Sequence, residues 1–124
     1  MNERFEEKTI YKTRWGYGCG YDEVSGYDYY LPIRRSESNI WFRRLRMTLV
    51  EFGKEIASEF EADAFAYLAL NNPDSGHFEE IRMKLSKLGD SWGKDSGSEC
   101  ARHKGESVYV AWSKKIAARY IIRG

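Results

Sequence analysis

The chain is poor in the residues that staple, ligate or interrupt. Its 124 residues include two cysteines, Cys19 and Cys100, and two histidines, His77 and His103. Two cysteines so far apart in sequence make no disulfide framework and fit a pair of reduced thiols. Two thiols and two imidazoles do equal the ligand count of a structural zinc site, and "CARH" holds Cys100 near His103. A closed zinc site shows two close ligand pairs, however, whereas Cys19 and His77 each stand alone, so neither metal nor cofactor is expected. Long apolar runs are missing too: nothing approaches the roughly 20 residues of a membrane span. The opening "MNERFEEKTI" mixes acids with its bases, unlike a secretory signal, and a cytoplasmic protein without membrane contact is the expectation. Finally, charge of one sign is absent. Twenty Lys and Arg against 19 Asp and Glu leave a net +1. That excludes both a chain-wide field that gathers nucleic acid and an acidic imitation of DNA, and leaves only local patches for either purpose.

Recognisable catalytic fingerprints are lacking as well. No nucleophile elbow, Walker loop or metalloprotease helix occurs. The glycines of "GYGCGY" alternate, where the dinucleotide fingerprint needs G-x-G-x-x-G. The remaining enzymatic reading takes Cys100 as nucleophile with His103 or His77 as base, and a Gly/Ser-rich loop is a poor place to fix that geometry. The expectation is a protein that is not an enzyme, with a small enzyme or metal-binding domain built on Cys100 and His103 as a remote alternative.

What the chain has in abundance is aromatic residues, concentrated early. "RWGYGCGYDEVSGYDYY" holds a tryptophan, five tyrosines and four glycines. Trp15, Tyr17, Cys19 and Tyr21 share one parity, and Tyr27, Tyr29, Leu31 and Ile33 share another run of the same parity after "DEVSG". A strand sends alternate side chains to opposite faces, so a hairpin with Tyr21 opposite Tyr27 and Trp15 opposite Ile33 gathers all eight on one face. Tyr30 would then cover Gly18 on the reverse face, and Pro32, which has no amide proton, would put its strand at an edge or turn that position outward.

Downstream, Trp41, Leu45, Leu49, Phe52, Ile56 and Phe60 recur at helical spacing, which predicts a helix over 39–60 followed by a second element at "AFAYLAL" and a stop at Asn71–Pro73. The order of charges, arginines first and acids after, opposes the helix dipole. It keeps a second reading open, in which "IWFRRLRMTL" is a strand and a helix begins near Val50. "DSGHFEEIRMKLSKLG" predicts a further helix with Phe78, Ile81, Leu85 and Leu88 as its buried stripe and Gly89 as its end. Residues 93–106 read as a long Gly/Ser-rich loop, a feature that in a compact domain is usually functional or disordered. "SVYVAW" reads as a strand, and "KKIAARY" as a short last helix or a further strand. The whole is predicted to be one α+β domain over 1–124: a tail at 1–8, an N-terminal antiparallel hairpin or small sheet packed on two or three helices, and a C-terminal strand.

Interfaces favour tyrosine, tryptophan and arginine, and these types cluster here. The candidate contact residues are Tyr17, Tyr21, Tyr27, Tyr30, Arg34, Arg35, Arg43, Arg44 and Arg46. They point to an accessory or inhibitor-type protein that binds a macromolecule, first another protein. The alternative is nucleic acid, with the hairpin rings stacking bases and the basic clusters holding phosphates.

Overall fold

The computed structural model describes residues 3–7, 9–17, 24–48 and 79–116. These build one antiparallel sheet of seven strands: β1 (Ile10–Tyr17), β2 (Val24–Arg35), β3 (Asn39–Thr48), β4 (Glu79–Lys87), β5 (Glu99–His103), β6 (Glu106–Tyr109) and β7 (Lys114–Ile116). Short 3-10 segments occupy Asp90–Asp95 and Val110–Trp112. The order across the sheet is β6-β5-β4-β3-β2-β1-β7, a meander whose last strand returns to the free side of β1. The sheet curls into a half-barrel, and the α+β architecture expected from sequence is replaced by an all-β one. Among the described residues there is no α-helix and hence none long and apolar enough to cross a membrane.

Two of the expected helices fail for different physical reasons. In β3 both faces carry apolar residues, with Ile40 and Phe42 buried on one side and Leu45 on the other. A strand buried on both faces loses its clean alternation, and a spacing of four then imitates a helix. The minority reading of "IWFRRLRMTL" as a strand is the one that holds for 39–48; the helix expected beyond it lies outside the described residues. In β4 the alternation was present, with Ile81, Met83 and Leu85 facing the interior between Glu80, Arg82, Lys84 and Ser86. Glutamate, methionine, lysine and leucine are good helix formers, but pairing with β3 and β5 overrides that local preference. The loop expected at 93–106 contains part of a 3-10 segment, β5 and a tight hairpin; of the two readings of the chain's end, Lys114–Ile116 form the strand β7, and the remainder lies outside the described residues.

The first hairpin forms in a different register. Tyr17 pairs with Val24, Trp15 with Gly26 and Tyr11 with Tyr30, so the connection spans residues 18–23, which lie outside the described residues together with Cys19 and Tyr21. The parity changes with it. Trp15 joins the face of Asp28 and Tyr30, while Tyr27 and Tyr29 point the other way, and the shared aromatic face is corrected to two mixed ones. Pro32 sits in a central strand, not at an edge, and a register shift between Pro32 and Arg34 accommodates its missing donor.

The concave face holds the core. Tyr11, Tyr30, Ile40, Phe42, Met83, Ala101, Val108 and Val110 are all buried there together with Phe5, a residue of the expected tail. Phe5 meets Tyr11 edge-on at 5.1 Å and Phe42 at 5.3 Å, and Tyr30 meets Phe42 at 5.5 Å. Each such pair adds about 1 kcal/mol to the burial of its rings. Backbone and side-chain bonds fasten the segment: the Glu99 amide donates to the Glu3 carbonyl at 2.8 Å, and the Phe5 amide to Glu99 Oε1 at 2.9 Å. This closes one end of the half-barrel. The other end is open.

Candidate binding cleft at the open end

At the open end a cleft of about 600 Å³ lies between the inner face of β1–β3 and the β6 side, lined among others by Trp15, Asp28, Arg46, Glu106, Tyr109 and Trp112. Register explains the assembly. Thr13 pairs with Asp28, and Asp28 with Arg46, so one rung carries all three on the concave face. Curling of the sheet then brings Glu106 of β6 across to β3, where it meets both Arg44 and Arg46.

The result is a chain of alternating charges. Asp28, 4% exposed, accepts from Tyr30 Oη at 3.0 Å and from Arg46 through Nε at 2.9 Å and Nη2 at 3.2 Å. Arg46 continues to Glu106, Glu106 to Arg44, and Arg44 to Glu79. Buried carboxylates are tolerable when paired and hydrogen-bonded in this way. The hydrogen bond to Asp28 raises the Arg46 pKa further, against the opposing effect of burial, so that guanidinium is a permanent cation at the cleft. Burial, followed by the charges of Asp28 and Glu106, drives the Tyr30 phenol far above its ordinary value; it remains a proton-bearing donor. The cleft is thus lined by a fixed network of paired charges and by ring faces.

Two of the lining rings join a third on its outer side. Trp92 of the first 3-10 segment, Tyr109 at the end of β6 and Trp112 of the second 3-10 segment have centroids 4.7 to 6.1 Å apart. Trp92 is 37% and Trp112 55% exposed. The Trp112 indole N–H donates to Asp95 at 3.0 Å, and Arg102 donates to Tyr109 Oη at 3.3 Å. Contiguous exposed apolar rings of this kind mark interaction surfaces.

No known family, characterised protein or solved structure matches this chain. The site therefore has to speak through its own chemistry.

The structure divides the residues proposed from sequence between two faces. Tyr30, Arg35, Arg44 and Arg46 lie on the concave side, and Tyr27, Arg34 and Arg43 on the other. Tyr30 is fully buried, and Arg44 is bound to two acids. Arg35 grips Glu99, which is 2% exposed, at the closed end of the half-barrel. Arg34 lies on the surface, its guanidinium 4.5 Å from the Trp41 ring centroid and 3.6 Å from Glu80. Tyr27 lies half-buried under the Lys12 ammonium, 4.4 Å from its ring centroid. Tyr17 pairs with Val24 at the end of β1, and Tyr21 lies outside the described residues. Of these residues, Tyr30 and Arg46 line the cleft.

The thiol and imidazole of "CARH" do not meet. Three positions apart on β5, Cys100 and His103 point to opposite faces; Cys100 is buried beside Ser86 Oγ at 3.0 Å, and His103 is exposed. Among the described residues no cluster of three His, Cys, Asp or Glu side chains could hold a metal ion. Sequence reasoning missed Trp15, Asp28, Trp92, Glu106, Tyr109 and Trp112. The usable signals were a tryptophan at the start of a long polar stretch and Tyr109 and Trp112 flanking Val110, a spacing set aside as an ordinary strand.

Proposed function

We propose that the chain is a non-catalytic binding protein that seats a macromolecular partner on the open end of its half-barrel, with Trp92, Tyr109 and Trp112 as anchors and Arg46 as the charged contact. The observation that supports this is the exposure of two tryptophans in one contiguous patch, 37% and 55%, beside a cleft already supplied with a fixed cation. Binding energy concentrates in such anchors, and tryptophan, tyrosine and arginine are the types that provide it. An accessory or inhibitor-type role follows from a surface that grips without a group poised to react.

The reading is tested by using the protein as bait in extracts of the cells that express it, beside the double variant Trp92→Ala/Trp112→Ala. Wild type should retain specific species that the variant loses by about tenfold or more, since removal of an anchor costs on the order of 2 kcal/mol. Equal retention by a variant with an unchanged circular dichroism spectrum overturns it.

A further inference from the structure

We infer that the Trp92–Tyr109–Trp112 patch and the basic turn beside it form a stacking site for the bases of single-stranded nucleic acid. This rests on the preceding reading and names the class of partner. The first argument is the state of the rings. Two of the three polar atoms are engaged within the protein, the Trp112 N–H by Asp95 and the Tyr109 hydroxyl by Arg102. What the patch offers outward is ring surface. Unstacked bases bind such surface through their own flat faces, with little regard to sequence. In a duplex those faces are already covered by neighbouring pairs.

The second argument is charge. Arg102, His103 and Lys104 are consecutive and exposed on the β5–β6 hairpin, Lys94 is exposed on the 3-10 segment that carries Trp92, and the Arg102 guanidinium lies 5.8 Å from the Tyr109 centroid. The turn that presents them is tight: His103 pairs with Glu106, and both Lys104 (φ 47) and Gly105 (φ 80) have positive φ, as a two-residue hairpin loop requires. Between residues 90 and 106 there are four acids. Asp95 is engaged by Trp112, Glu99 by Arg35, and Glu106 by Arg44 and Arg46. The Trp112 N–H is neutral and leaves the Asp95 charge in place, so Asp90 and Asp95 stand against Lys94, Arg102 and Lys104, a small local excess of cations. The small net charge of the chain thus conceals a patch where ring faces and cations coincide, the combination that follows a phosphate backbone with bases splayed onto a platform. A protein partner would use the rings but has no need of this excess of cations.

Fluorescence anisotropy of a labelled oligothymidine of about 12 nucleotides tests the inference, with a duplex of equal length as control. Binding should weaken about tenfold or more between about 50 and 200 mM salt, as expected for a few neutralised phosphates, and the duplex should bind less tightly. Trp112→Ala should weaken binding by about tenfold, and Lys104→Glu should weaken it and flatten its salt dependence. Thermal melts of both variants, which alter exposed side chains, establish that they fold. Absence of binding at the lowest salt, or undiminished binding by folded Trp112→Ala, overturns the inference. If the oligonucleotide fails while the bait experiment still loses a protein from the double tryptophan variant, the partner class is wrong and the binding surface stands. If both fail, so does the surface.

Discussion

Glu99 shows how one side chain can tie a fold to pH. Burial alone would raise its pKa, but hydrogen bonds from Arg35 and the Phe5 amide, with the Arg35 charge, outweigh that and hold it below the usual carboxylate range. A carboxyl whose pKa falls on folding contributes stability that is fully present above its unfolded value and is lost as pH drops through the folded one. The protein should therefore lose urea resistance progressively as pH falls below about 5. In Glu99→Gln this acid limb should be shallower, and stability at neutral pH lower by about 2 kcal/mol, since Arg35 loses its charged partner. An acid limb of unchanged slope in the variant would assign the loss to other carboxylates. The Tyr11 phenol moves the opposite way, pushed up to about 12 chiefly by burial, so it stays protonated through the ordinary range.

At the level of elements, the arginines of β2 and β3 separate structural from surface roles. Arg44 connects β3 to β4 through Glu79 and to β6 through Glu106, whereas Arg34, on β2, lies exposed against Trp41 and Glu80. Removing Arg44 leaves the partly buried Glu106 with Arg46 alone and frees Glu79, so Arg44→Ala should cost about 3 kcal/mol. Arg34→Ala should stay within about 0.5 kcal/mol, as surface pairs do. Chemical denaturation of the two variants side by side checks the difference; equal effects would refute the division. This is also where the sequence was legible and where it was not. The early hairpin is readable from the alternation in its two arms, though its register is not, because the connection falls at residues 18–23 and not at the expected "DEVSG". β3 and β4 were hidden. Their strand character comes from partners far away in the chain: Arg44 reads as a helix-start cation until Glu106 is seen beside it. The candidate site was less legible still, because its rings come from two 3-10 segments and a strand end that only the curl of the sheet gathers.

For the molecule as a whole, the question is what keeps a seven-stranded sheet curled when, among the described residues, no ladder joins its edge strands β6 and β7. At the open end the arginine–acid chain spans β2, β3 and β6. At the other end the work falls to residues 3–5. Glu3 bonds to the start of β5 through backbone and to Lys115 of β7 through its carboxylate at 3.0 Å, and Phe5 inserts between Tyr11 and Phe42. One short segment thus links strands from both halves of the sheet, held by these bonds and by one buried ring. Phe5→Ala removes that ring and two edge-on contacts, and should lower stability by about 3–4 kcal/mol. Because Phe5 belongs to the same core as Tyr30, the loss should also reach the opposite end: a single cooperative transition at lower denaturant, with Trp15 and Trp112 changing fluorescence together with the far-ultraviolet signal. A variant that unfolds in two steps, with the tryptophans released after the closed end has opened, would mean that the charge network holds the open end by itself. Phe5→Leu, which keeps most of the apolar volume, should recover more than half of the lost stability if filling the end of the half-barrel, and not the ring pairing, is what matters.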